Sequence, residues 1–170
     1  MIKKMYPVIL LFLFTILISC QEGLKPEAYQ EVPKTSTLTG TVEFLGGKDK
    51  FPDSTRCWGI YVAAFKQFPK DSSGIFQEIL KGNVYVKFES LPFPTDTADF
   101  TLEIKDAPVN LEYIAISMQT DSARVDAQRV IGVYTLTGDN TKPSPILIEK
   151  GKQYHIKIMV DWDNLPPQPF

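Results

Sequence analysis

From Thr37 onward the chain is built of short runs in which apolar and polar residues alternate. A period of two sends successive side chains to opposite faces of a strand, whereas a helix would show a period near 3.6. The last run, Tyr154-His155-Ile156-Lys157-Ile158-Met159-Val160, places Tyr154, Ile156, Ile158 and Val160 on one face. His155, Lys157 and Met159 fall on the other. Thr37 to Phe44 alternates in the same way and is rich in β-branched residues, and Phe100 to Ile104 alternates strictly. Cys57–Phe65, Val84–Phe88, Leu111–Met118, Val130–Leu136 and Ile146–Ile148 are further strand candidates. Ile75 to Leu80 is a weaker one that fits a helix as well. Gly46-Gly47, Lys81-Gly82-Asn83 and Thr137-Gly138-Asp139-Asn140 supply turns between them. About seven to nine short strands with turn signals between them predict an all-β fold, a single antiparallel β-sandwich over 37–164. Thirteen prolines, many of them flanking the runs, suit such a fold and not a helical bundle. The Pro-rich tail, 165–170, cannot form a central strand and is expected to lie on the surface or hang free.

The amino terminus has a different character. Met1 to Tyr6 carries Lys3 and Lys4 and no acid, and Val8 to Ile18 is apolar except for Thr15. A spanning helix needs roughly 20 apolar residues, so this run fits a secretory signal better than an anchor. It closes on Leu17-Ile18-Ser19-Cys20, which resembles the lipobox of bacterial lipoproteins. The resemblance implies that 1–19 is removed and that Cys20 carries a thioether-linked diacylglycerol, because its thiolate is the soft nucleophile. Two or more acyl chains anchor stably, at about 0.8 kcal/mol per buried CH₂. Enterobacterial lipoproteins with Asp after the cysteine stay at the inner membrane. Gln21 stands there instead, which implies an outer-membrane address in the cell envelope, with either face open. Residues 20–36, polar and carrying Pro26 and Pro33, read as the lipidated cysteine and its tether.

Loss of the first 19 residues leaves a chain long enough for one core. It also leaves 16 basic and 20 acidic residues from the full 18 and 20, a net of −4. That mild acidity argues against nucleic acid as a partner. The chain has two cysteines. With Cys20 lipidated, Cys57 has no partner for a disulfide and reads as a small buried hydrophobe.

Leu38-Thr39-Gly40-Thr41-Val42 is similar to the opening strand of carboxypeptidase-regulatory-like and transthyretin-like modules. Asp99-Phe100-Thr101-Leu102 to Tyr113 resembles their Gly-x-Phe-x-Leu … Pro-Gly-x-Tyr segment, without the glycine and with Ala107-Pro108-Val109-Asn110 in place of Pro-Gly. The resemblance implies a transthyretin-like or immunoglobulin-like sandwich and no particular activity.

Residues able to do chemistry are sparse. His155 is the only histidine, so any Ser-His-Asp or Cys-His arrangement must use it. No nucleophile elbow or phosphate-cradling glycine loop is present. No cofactor is expected. Asp161-Trp162-Asp163-Asn164 is the densest acidic cluster, and Asp161 and Asp163 are weak calcium candidates. Trp58, Trp162, Tyr61, Tyr85, Tyr113 and Tyr134 raise the idea of a stacking platform for carbohydrate. Asp53-Ser54-Thr55, Asp96-Thr97-Ala98 and Asp121-Ser122-Ala123 are similar to the O-glycosylation sequon of some gut and environmental bacteria. Chance gives about 0.5 such triplets in a chain of this composition. The implied acceptors are Ser54, Thr97 and Ser122.

The sequence thus predicts a lipid-anchored, non-catalytic binding or accessory module for a protein or carbohydrate ligand. Two alternatives stand beside it. One is an assembly subunit that accepts a partner strand at a sheet edge such as Val84–Phe88 or the last strand. The other is a carboxylate-based hydrolase using Asp161 with Asp163, or Asp96 with Asp99.

Overall fold

A computed structural model describes residues 35–71 and 74–170. The lipobox, Cys20 and the segment up to residue 34 lie outside the described residues. The fold is all-β, with nine strands among the described residues. They are β1 (Ser36–Phe44), β2 (Gly59–Phe65), β3 (Val84–Lys87), β4 (Thr97–Ile104), β5 (Val109–Leu111), β6 (Tyr113–Gln119), β7 (Gln128–Val133), β8 (Ile146–Ile148) and β9 (Gln153–Val160). Three sheets result, ordered β4-β1-β9, β3-β2-β6-β7 and β5-β8. Burial follows the alternation closely. In β4 every second residue is buried, and in β9 Ile156, Ile158 and Val160 are inside while His155, Lys157 and Met159 are outside.

The inward faces of the two larger sheets meet in one apolar core. Leu38, Val42 and Phe44 of β1, Phe100 and Leu102 of β4 and Ile156 and Ile158 of β9 pack with Ile60, Val62, Ile114, Ile116 and Ile131. This sandwich-like layering buries both inner faces, as the alternation requires.

β1 is the middle strand of its sheet, antiparallel to β4 and parallel to β9. Gly40 sits opposite Phe100 in that ladder. A methyl group on Gly40 would overlap the Phe100 ring, so glycine here leaves room for a large aromatic on the neighbouring strand. That is the physical reason for glycine inside an otherwise strong strand sequence.

Both ends of the fold are defined by these pairings. At the root end, where the described chain enters β1, β4 finishes and β9 begins. Asp106, just after β4, accepts hydrogen bonds from Lys66 and Tyr85, tying the end of β2 and the start of β3 to the same end. At the far end, β1 and β9 finish and β2 and β4 begin. There Phe44, Phe51 and Trp162 close the core, with Phe51 and Trp162 centroids 5.2 Å apart.

Several local expectations change. Ile75–Leu80 is an α-helix, the only one among the described residues. Ile75 and Ile79 pack on the outer face of the β2 sheet against Phe65, Val84 and Tyr113. The run Leu111–Met118 divides into β5 and β6 at Glu112, whose N–H bonds Phe65 O at 2.9 Å. β7 stops at Val133, short of Leu136, because Tyr134 O turns to Ser144 N. Ser36 is fully buried in β1 and not part of a tether; its hydroxyl donates to Glu149 O and accepts from Gly151 N. The tail lies on the surface, with Gln168 bonded to both the N–H and the C=O of Val130.

Replacing Gly40 by Ala should destabilise the domain by about 1–3 kcal/mol, the range for overpacking. In a Phe100→Leu background the same replacement should cost less. Urea unfolding of the four variants measures the coupling.

Candidate functional site

Each residue singled out from sequence has a defined place. His155 stands on the exposed face of β9 with Nδ1 3.1 Å from Thr39 Oγ1. The Thr39 hydroxyl spends its single proton on Tyr154 O, at 2.9 Å. Nδ1 of His155 is therefore the donor in this pair. A general base must instead receive the hydroxyl proton, so the pair is wired in the wrong direction for activating a nucleophile.

The Asp161–Asn164 segment is a turn closed on itself. Asp161 Oδ1 accepts the N–H of Asp163 at 3.0 Å, and Asn164 N–H bonds Asp161 O at 3.1 Å. Asp163 points to Lys50 Nζ, 3.0 Å away. Among the described residues no group of three or more His, Cys, Asp or Glu side chains converges as metal ligands would. Asp96 accepts Lys48 N–H, and Asp99 accepts the Thr41 hydroxyl at 2.6 Å. Each carboxylate therefore serves its own turn or neighbouring strand.

The six aromatic candidates are dispersed through the fold. Tyr113 and Tyr134 are buried, Tyr61, Tyr85 and Trp162 are half-buried, and Trp58 is 50% exposed. Tyr61 lies over Gly59 of its own strand and donates to Gln119 Oε1 at 3.3 Å. Trp162 is part of the far-end aromatic closure, and its Nε1 has no hydrogen-bond partner among the described residues. Burial pushes the Tyr113 phenol well above the usual tyrosine range.

Cys57 is buried, and burial also raises its thiol pKa, against a smaller opposing hydrogen bond from Gly59. A raised pKa means little thiolate and an inert sulfur. Ser54, Thr97 and Ser122 are all exposed, and all three stand at the far end. Ser54 follows β1 in a turn, Thr97 opens β4, and Ser122 follows β6.

Both strands that the sequence offers as candidate sheet edges, Val84–Phe88 and the last strand, lie at the edge of a sheet. In the parallel β1–β9 ladder, Thr37 N–H bonds Lys152 O and Leu45 N–H bonds Val160 O. The even-numbered residues of β9 therefore face β1. The N–H and C=O groups of Gln153, His155, Lys157 and Met159 point away from it without hydrogen-bond partners among the described residues, and the Met159 carbonyl lies against Gly132 of β7. Lys157 and Met159 border a groove of about 290 Å³ that Ile131, Asn140 and Asp161 also line. The other sheet edges are blunted. β7 is capped by Gln168, β3 has four residues, and β4 carries Asp99 and Glu103 outward. Comparison with known families, curated proteins and solved structures finds no match to this chain.

Cys57 should resist a thiol reagent in the native domain and react fully in denaturant. Native reaction as fast as that of a free cysteine would contradict its burial.

Proposed function

We propose that the chain is a lipid-anchored module of the cell envelope, with the β domain serving binding or assembly and not catalysis. The order of basic, apolar, small and cysteine residues ending at Cys20 carries this reading. The packed domain supports it. Its first strand begins at Ser36, sixteen residues beyond that cysteine, and its core closes within the residues that follow. A chain of that span reaches about 50 Å when extended. The transthyretin-like resemblance fits the same picture, since the glycine of its opening strand is the one that makes room for Phe100.

A second reading is favoured by one observation, the unpaired edge of β9. Backbone donors and acceptors in that order are what an added strand uses, and the groove beside them would hold its side chains. The domain would then bind an extended segment of a partner protein. Ser54, Thr97 and Ser122, gathered at the far end, are the hydroxyls we assign as O-glycan acceptors.

The intact mass of the protein purified from its native membrane tests both modifications. A mature chain starting at Cys20, heavier by two or three acyl chains, is the expected result, with sugar mass in addition. A mass equal to the bare polypeptide would overturn the anchor, and lipid mass alone would remove the glycans. Replacing Cys20 by Ser should leave the protein unprocessed or release it from the membrane fraction. Unchanged fractionation and processing would contradict the assignment.

A further inference from the structure

The helix Ile75–Leu80 buries one side and exposes the other. Ile75 and Ile79 pack inward, while Phe76 and Leu80, one turn apart, are 64% and 66% exposed. Phe68, 43% exposed, lies nearby in sequence with its ring edge-on to Tyr113, 4.9 Å between centroids. Three large apolar side chains thus stand in solvent in one segment, between the end of β2 and the start of β3.

That segment is at the root end. Lys66 N–H bonds Asn83 O at 3.0 Å, closing its neck, and Asp106 ties Lys66 and Tyr85 to the end of β4. Ser36, where the described chain enters the domain, pairs with Ile104 at the end of that same β4. Lys70, Lys105, Lys150 and Lys152 are also exposed at this end, together with the acids Asp71, Glu103, Asp106, Glu112 and Glu149, and Glu78 lies on the helix between Phe76 and Leu80. The chain that leads back to Cys20 therefore leaves the domain at the same end as the exposed apolar side chains, from the other sheet.

From this placement we propose that the root end is a lipid-contacting surface, with Phe76 and Leu80 seated in the headgroup–acyl boundary of the bilayer that holds Cys20. The inference rests on lipidation of Cys20. An anchor joined at this end brings the root end within reach of the bilayer. Apolar side chains at an end that also carries lysines suit that boundary, where rings and aliphatic chains enter the acyl region and ammonium groups meet phosphates. The far end, with the three hydroxyl acceptors and the open groove at Asp161 and Asn140, would then face away from the lipid.

The two native tryptophans make the test clean, because Trp58 precedes β2 and Trp162 follows β9, both at the far end. The mature lipidated protein and its Phe76→Trp variant are reconstituted into phosphatidylglycerol–phosphatidylcholine vesicles with brominated acyl chains. Bromine quenches only a tryptophan that reaches the acyl region. The variant should lose emission by up to about 1.5-fold relative to unbrominated vesicles, one tryptophan of three being immersed, and the wild type should not change. Leu80→Trp repeats the test should Phe76→Trp not fold. If protein floats with the vesicles but neither variant is quenched, the anchor stands and the proposed surface is wrong. Quenching of the wild type would put the far end on the membrane and overturn it too. Protein that does not float removes the anchor and this surface together. Concentration-dependent dimers that shield position 76 from the lipid would assign the patch to a second copy, again against the proposal.

Discussion

The structure depends on β1 being hydrogen-bonded on both sides. Its even-numbered residues face β4, as Phe44 N–H to Asp96 O shows, and its odd-numbered residues face β9, as Thr37 N–H to Lys152 O shows. No backbone group along the strand is left to water, and its inward side chains Leu38, Val42 and Phe44 reach the middle of the core. The pairing joins the first and last strands of the described chain in parallel, so the fold is closed by contacts between residues more than a hundred positions apart. Such long loops make closure entropically expensive, and the burial between the sheets must offset it. Gly40 is the fine adjustment, because the central strand can lie against Phe100 only where it has no side chain.

The same pairing gives the molecule two unlike ends. Loops at the root end, where the described chain also enters, carry the short helix and its exposed Phe76 and Leu80. Loops at the far end carry the aromatic closure at Trp162 and the exposed hydroxyls of Ser54, Thr97 and Ser122. Between them run the two eight-residue edge strands β4 and β9, and β9 turns the backbone groups of His155 and Lys157 outward. Surface ion pairs such as Lys50–Asp163 and Lys157–Glu43 decorate this plan and contribute little, since exposed pairs are typically worth under about 1 kcal/mol.

Much of the fold was legible in the sequence because strand alternation is local. The seven residues from Tyr154 to Val160 show their two faces without reference to anything else, and the buried set matches. The same local signal failed at Ile75–Leu80, where apolar residues face both inward and outward and neither period is clear. Glu112 looked like one position in a continuous run, because the bond that breaks the run comes from Phe65, far away in the chain. The parallel pairing of β1 with β9, and with it the free edge of β9, has no local signature at all. Nor does the cap on β7, where a side-chain amide of Gln168 stands in for a strand. The chemical candidates fared as their neighbours dictate. His155 was found as the sole histidine, but the direction of its hydrogen bond depends on Thr39, 116 residues away in the chain.

Native-state hydrogen exchange on the mature protein tests the central role of β1 most directly. Thr39 and Thr41, facing β9, and Leu38, Gly40 and Val42, facing β4, should exchange at one slow rate, through global unfolding. The amides of His155 and Lys157, turned outward from β9, should exchange much faster. Thr39 and Thr41 exchanging about 100-fold faster than Leu38 and Val42 would detach β9 from β1 and contradict the account.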